Sequence, residues 1–99
     1  MAQPITSADG TFQIIRHSIL YPPMGPKGVQ GAMKNISNET ANAEIKVEFY
    51  DASENLLGTA VGVYKDVKPG EVRLFEIWGE RIPNMYEVEE HKVAYVKKI

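Results

Sequence analysis

The sequence predicts an all-β chain folded as a two-sheet antiparallel sandwich of six to seven strands. Three observations carry this. Short apolar runs rich in β-formers recur at roughly 12–15-residue intervals, separated by Gly, Pro, Asn and Asp turn chemistry. No window of a dozen residues keeps a 3.6-residue period, so no substantial helix is expected. The 99 residues suit a single domain, with 43% apolar and 24% charged residues and no cysteine.

Residues 1–11 read as a flexible lead-in arm, polar and broken by Pro4 and the Asp9-Gly10 turn signal. The domain proper then spans 12–99. Its first strand, Phe12–Leu20, is Ile-rich and stops at the Pro22, Pro23, Gly25 and Pro26 cluster, which cannot continue a ladder. The second, Val29–Ile36, ends in the turn formers Asn35, Ser37, Asn38, Thr40 and Asn42. In the third, Glu44–Phe49, the charges Glu44, Lys46 and Glu48 alternate with Ile45, Val47 and Phe49, the mark of a half-buried antiparallel strand.

Tyr50–Asn55 is then a hairpin loop in which Asp51 forms an Asx-turn and Asn55 supplies the positive φ. The returning strand Leu56–Tyr64 puts Leu57, Thr59, Val61 and Val63 on one face and Gly58, Ala60 and Gly62 on a thin opposite face. Lys68-Pro69-Gly70-Glu71 is a type II turn, with Pro69 presetting φ and Gly70 accepting φ > 0. In Val72–Trp78, Phe75 and Ile77 share one face while Val72, Leu74 and Trp78 share the other. Either both faces are partly covered or a bulge resets the phase. Residues 79–91 form an acidic connection around Pro83, with room for a single helical turn at Tyr86–Glu90, and Lys92–Ile99 closes the chain. The expected core is Ile14 or Ile15, Val29, Met33, Ile45, Val47, Phe49, Leu57, Val61, Val63, Phe75, Ile77 and Val93.

Five short signals occur in a set order: Gly31-Ala-Met-Lys-Asn35, Val47-Glu-Phe-Tyr-Asp51, Leu56-Leu-Gly58, Lys68-Pro-Gly-Glu71, and Phe75 four residues later. Over roughly residues 12–78 this order resembles the FxLYD domain, a small immunoglobulin-like β-sandwich of prokaryotes. Asn55 stands where that family has glycine, and Met33 where it has valine. The resemblance implies an immunoglobulin-like sandwich in a cell-envelope or extracellular protein, with no catalytic residues.

The net charge of −2 argues against a general nucleic-acid binder. No apolar run approaches a membrane span, so membrane association is expected only through segments outside this chain, and no signal peptide is read at the N-terminus. The absent cysteines remove thiolate metal sites and disulfide scaffolds. Asp51, Ser53 and Asn55 have the alternate spacing that opens a calcium loop, but Leu56 and Gly62 stand where such a loop needs Gly and a bidentate Glu. His17 and His91 lie at opposite ends of the chain without ligand spacing, and two histidines alone make no zinc site. Ser18, Ser37 and Ser53 have no adjacent base. The segment Gly25–Gly31 lacks the Gly-Lys-Ser/Thr of a phosphate loop, and Glu87, Glu89 and Glu90 read as a solvated acidic loop. Asn35-Ile-Ser37 and Asn38-Glu-Thr40 match glycosylation sequons, but Asn, Ser and Thr are also what such turns favour.

The sequence therefore predicts no enzyme, no cofactor and no metal. The expected function is a protein-interaction or spacer module that contacts a partner or neighbouring domain through Val72, Leu74 and Trp78. The alternative is a carbohydrate or small-ligand module in which Trp78 and nearby tyrosines make a stacking platform.

Overall fold

Seven strands in two antiparallel sheets make up the computed structural model, which describes residues 5–99. The strands are β1 (Ile5–Thr6), β2 (Phe12–Leu20), β3 (Gly28–Asn35), β4 (Ala41–Tyr50), β5 (Leu56–Val67), β6 (Val72–Trp78) and β7 (Glu90–Lys98). One sheet has the order β1-β2-β3-β6 and the other β5-β4-β7. The edges align so that β1 and β2 lie against β7, and β6 lies against β5. The expected two-sheet sandwich is therefore present.

Of the stretch read as an arm, residues 1–4 lie outside the described residues. Residues 5–11 are strand and turn: Ile5 pairs with Ile14 and Thr6 with Gln13. The turn is closed by the Asp9 carboxylate, which accepts from Ser7 Oγ at 2.8 Å and from the Thr11 amide at 3.0 Å. These bonds hold the Asp9 carboxyl below its ordinary value, the Thr11 amide contributing most.

Phe12 and Phe49, both fully buried, come from opposite sheets and anchor the core with Ile14, Val29, Met33, Ile45, Val47, Phe75, Ile77 and Val93. Each such side chain contributes about 1.5–3 kcal/mol of transfer free energy. Ile14, not Ile15, faces inward. A bulge between Ile14 and Arg16 leaves Ile15 exposed and resets the strand, so that His17 and Ile19 then point toward the other sheet.

Two core expectations fail on β5. Val61 and Val63 are 50% and 49% exposed. In the ladder with β4, Val61 is opposite Lys46 and Val63 opposite Glu44. Paired residues share a face, so the valines stand on the charged outer surface. The glycine side is the inner one, and it is thin because neighbours fill it. A Cβ at Gly58 would meet Ile82 at 2.8 Å, and one at Gly62 would meet Ile77 at 3.0 Å. Leu57 sits at a second bulge and packs only partly on the core.

The segment 79–89 is more than a solvated connection. Its 3-10 turn, Met85–Glu87, begins at Asn84 in the left-handed region, and Met85 and Val88 are buried. Lys27 Nζ fastens it by donating to the Val88 carbonyl at 2.7 Å. In the β4–β5 hairpin the Asp51 carboxylate accepts from the Ser53 and Asn55 amides, both at 2.9 Å, as expected of an Asx-turn. The positive φ falls on Glu54 rather than Asn55. The turn at Lys68–Glu71 forms as expected, with Gly70 at φ 76° and the Glu71 amide on the Lys68 carbonyl at 2.9 Å.

Candidate functional site

The outer surface of the four-stranded sheet carries the residues singled out from sequence. The β3–β6 ladder runs without a bulge from Gly28–Trp78 to Lys34–Val72, so the phase of β6 is never reset. Phe75 and Ile77 point inward, while Val72, Leu74, Glu76 and Trp78 share the outer face. Val72 is 49% and Leu74 66% exposed. Trp78 is half-buried because its ring lies over Gly28, where a Cβ would come within 2.7 Å of Cε3. Glycine at this position lets the indole rest on the β3 backbone.

Two hollows flank this surface. The first, about 410 Å³, is lined by Arg16, Ser18, Gln30, Leu74 and Glu76, with the backbone row of His17, Gly31 and Phe75 across it. Its polar side chains offer a cationic donor, a carboxylate and an amide around one leucine. The second, about 340 Å³, lies where β5 meets the end of β6 and is lined by Thr59, Val61, Trp78, Glu80, Arg81 and Ile82. Trp78 is the sole aromatic residue lining it, so the Trp78-and-tyrosine stacking platform is not what this hollow presents.

The structure brings together one pair that the sequence left apart. His17 on β2 and His91 on β7 both face inward, and His17 Nδ1 stands 2.8 Å from His91 Nε2. Burial lowers the pKa of both below the ordinary 6.5, and the charge of His17 adds to the effect at His91. No local signal announces this contact. Two inward parities on distant strands become neighbours only once the sheets stack.

The remaining candidates resolve locally. The Asp51 carboxylate is engaged by its own loop, and no cluster of three metal-ligating side chains occurs among the described residues. Glu87, Glu89 and Glu90 are exposed. Of the two sequons, Asn35 is completely buried with its amide nitrogen bonded to two carbonyls, whereas Asn38 is exposed.

No family model matches the chain, and no solved structure matches it. An uncharacterized protein of Methanocaldococcus jannaschii is 35% identical over 68 residues, which is 68% of this chain and 50% of that protein. The chain thus spans half the length of this relative.

Proposed function

We propose that the chain is a non-catalytic module that binds a protein partner or a neighbouring domain through the outer face of its four-stranded sheet. The observation carrying this reading is the exposure of Val72 and Leu74 side by side with the half-buried Trp78 on one bulge-free strand. The buried core of an interface is more apolar than the surrounding surface, and tryptophan is enriched there. The resemblance to the FxLYD domain supports an immunoglobulin-like assignment and placement in a cell envelope or outside the cell. The chain's repeated crossing between sheets, from β3 to β4, β5 to β6 and β6 to β7, is consistent with that assignment.

The test replaces Val72 and Leu74 by Ser. Both are exposed, so thermal unfolding should stay within a few degrees. Sedimentation velocity of wild type and variant over a concentration series should show association lost in the variant. Equal association of the two proteins would refute this surface.

A second reading, a small-ligand module, is favoured by the hollow of about 410 Å³ beside Leu74, with Arg16, Gln30 and Glu76 around it. A panel of mono- and disaccharides titrated against labelled protein separates the readings. Shifts confined to Arg16, Ser18 and Gln30 would support ligand binding, and their absence would favour the interaction module.

A further inference from the structure

His17 and His91 form a polar contact between the two sheets that nothing in the proposed function uses. Their rings meet edge to face, with centroids 5.0 Å apart and planes at 88°. The bond between Nδ1 and Nε2 can hold a single proton. One ring donates its N–H and the other must offer a lone pair. Two neutral rings satisfy this, and so does a singly protonated pair. Two imidazolium rings do not, because two N–H groups would then face each other at 2.8 Å.

Among the described residues, nothing on the paired strands compensates a second charge. On β2 the flanking Arg16 is exposed, and on β7 the flanking Glu90 and Lys92 are exposed and alternate away from the inner face. Across the ladders, His17 is opposite Gly31 of β3 and His91 opposite Phe49 of β4. The described residues of β1, Ile5 and Thr6, carry no charge. Among the described residues no carboxylate contributes to the titration of either ring.

We propose that the His17–His91 bond is an acid-released clasp, closing the β2–β7 side of the sandwich at neutral pH and opening it when the pair takes up its second proton. Burial holds both folded-state pKa values below 6.5. The open state therefore binds more protons than the closed one. The clasp is at full strength above pH 6.5 and is lost as pH falls through the lowered values. Carboxylates titrate lower, near 4 in their ordinary state, so the window between about pH 5 and 7 belongs to the histidines.

The experiment follows the intact chain by NMR. Nitrogen-detected titration of the two imidazoles should show one Nδ1 and one Nε2 sharing a proton at pH 7.5, and two coupled steps below 6.5. Amide exchange, corrected for its intrinsic pH dependence, should lose protection in β7 by up to about 100-fold per pH unit, the limit for two protons. Protection across β3 and β6 should change less. His91→Gln keeps a donor for His17 but removes one titration, and its loss of protection should fall to at most about 10-fold per pH unit. Independent titration of both rings at about 6.5 would overturn the proposal. So would unchanged β7 protection between pH 7.5 and 5, or an equal loss over all strands. The wild-type measurements decide the matter even if the variant does not fold.

Discussion

Asn35 Nδ2 donates to the Val67 carbonyl at 2.8 Å, joining the end of β3 in one sheet to the end of β5 in the other. The second amide proton goes to the Glu39 carbonyl at 2.7 Å. Asn35 Oδ1 accepts from the Ser37 amide at 2.9 Å and from Ser37 Oγ at 2.7 Å. The Asn35 backbone N–H donates to the Glu71 carbonyl at 3.1 Å and its carbonyl accepts from the Gly70 amide at 2.9 Å, both in the second half of the Lys68–Glu71 turn. A fully buried side chain thus uses both donors and both acceptor positions, the arrangement in which a polar group in a core is stabilising.

Replacing it should therefore cost more than one hydrogen bond. Asn35→Ala strands the Val67 carbonyl in the interior and should lower unfolding free energy by about 2–4 kcal/mol in urea titration. Asn35→Asp should do no better, since an ionised carboxylate has no proton for either carbonyl. A loss below about 0.5 kcal/mol in both variants would show that the network contributes little.

The β5 surface gives the opposite expectation. Val61→Thr with Val63→Thr should change stability by no more than about 0.5 kcal/mol, because both valines are half exposed on the charged face. Phe49→Ala, in a fully buried site, should cost about 3–5 kcal/mol. Urea midpoints of the two variants, measured with equal m-values, provide the comparison.

That contrast marks where the sequence stops being readable. The alternation in β4 places its charges and its core residues unambiguously, because Glu and Lys cannot face inward unpaired. On β5 both faces are uncharged at the critical positions, and valine against glycine suggests the valine side is buried. The register with β4 decides otherwise, and register is set between strands rather than within one. The inner glycines accommodate Ile82 and Ile77, whose positions depend on the 79–89 segment and on β6. Val72, Leu74 and Trp78 were legible as one face because Phe75 and Ile77 fix the parity of β6. The His17–His91 contact was not, since it needs two stacked sheets, the bulge that resets β2 and a separation of 74 residues.

Tyr95 tests the outer face of the other sheet. Its hydroxyl donates to Glu44 Oε2 at 2.6 Å, and Lys97 lies 3.2 Å from the same oxygen. The bond to Glu44 raises the phenol above its ordinary 10 and helps lower the Glu44 carboxyl below 4.5. Glu44→Gln should bring the Tyr95 titration back toward 10 in ultraviolet difference spectra. Tyr64, raised chiefly by burial, should be unmoved. For Glu44 the linkage has the same sign as for the two histidines, at lower pH. Its stabilising contribution is complete above pH 4.5 and disappears as pH falls through the lowered folded value.

Gly31→Ala addresses close approach of backbone and ring at the centre of the sheet. A Cβ there would meet the Arg16 carbonyl and would stand 2.6 Å from Cζ of Phe75. The carbonyl belongs to the strand just past the β2 bulge, and Phe75 is 2% exposed, so neither neighbour can swing aside freely. The methyl should cost about 1–3 kcal/mol of overpacking in urea titration. Gly10→Ala is a control of a different kind. Nothing among the described residues lies within 4 Å of the added carbon, yet φ is 78°, so its cost is backbone strain. The two variants should separate by NMR. Gly10→Ala should perturb only the β1–β2 turn. Gly31→Ala must push β2 away from β3 in the row that holds His17, and should shift the His17 and His91 ring resonances together. A Gly31→Ala protein with wild-type stability and unmoved histidine signals would mean that β2 yields at this point without strain.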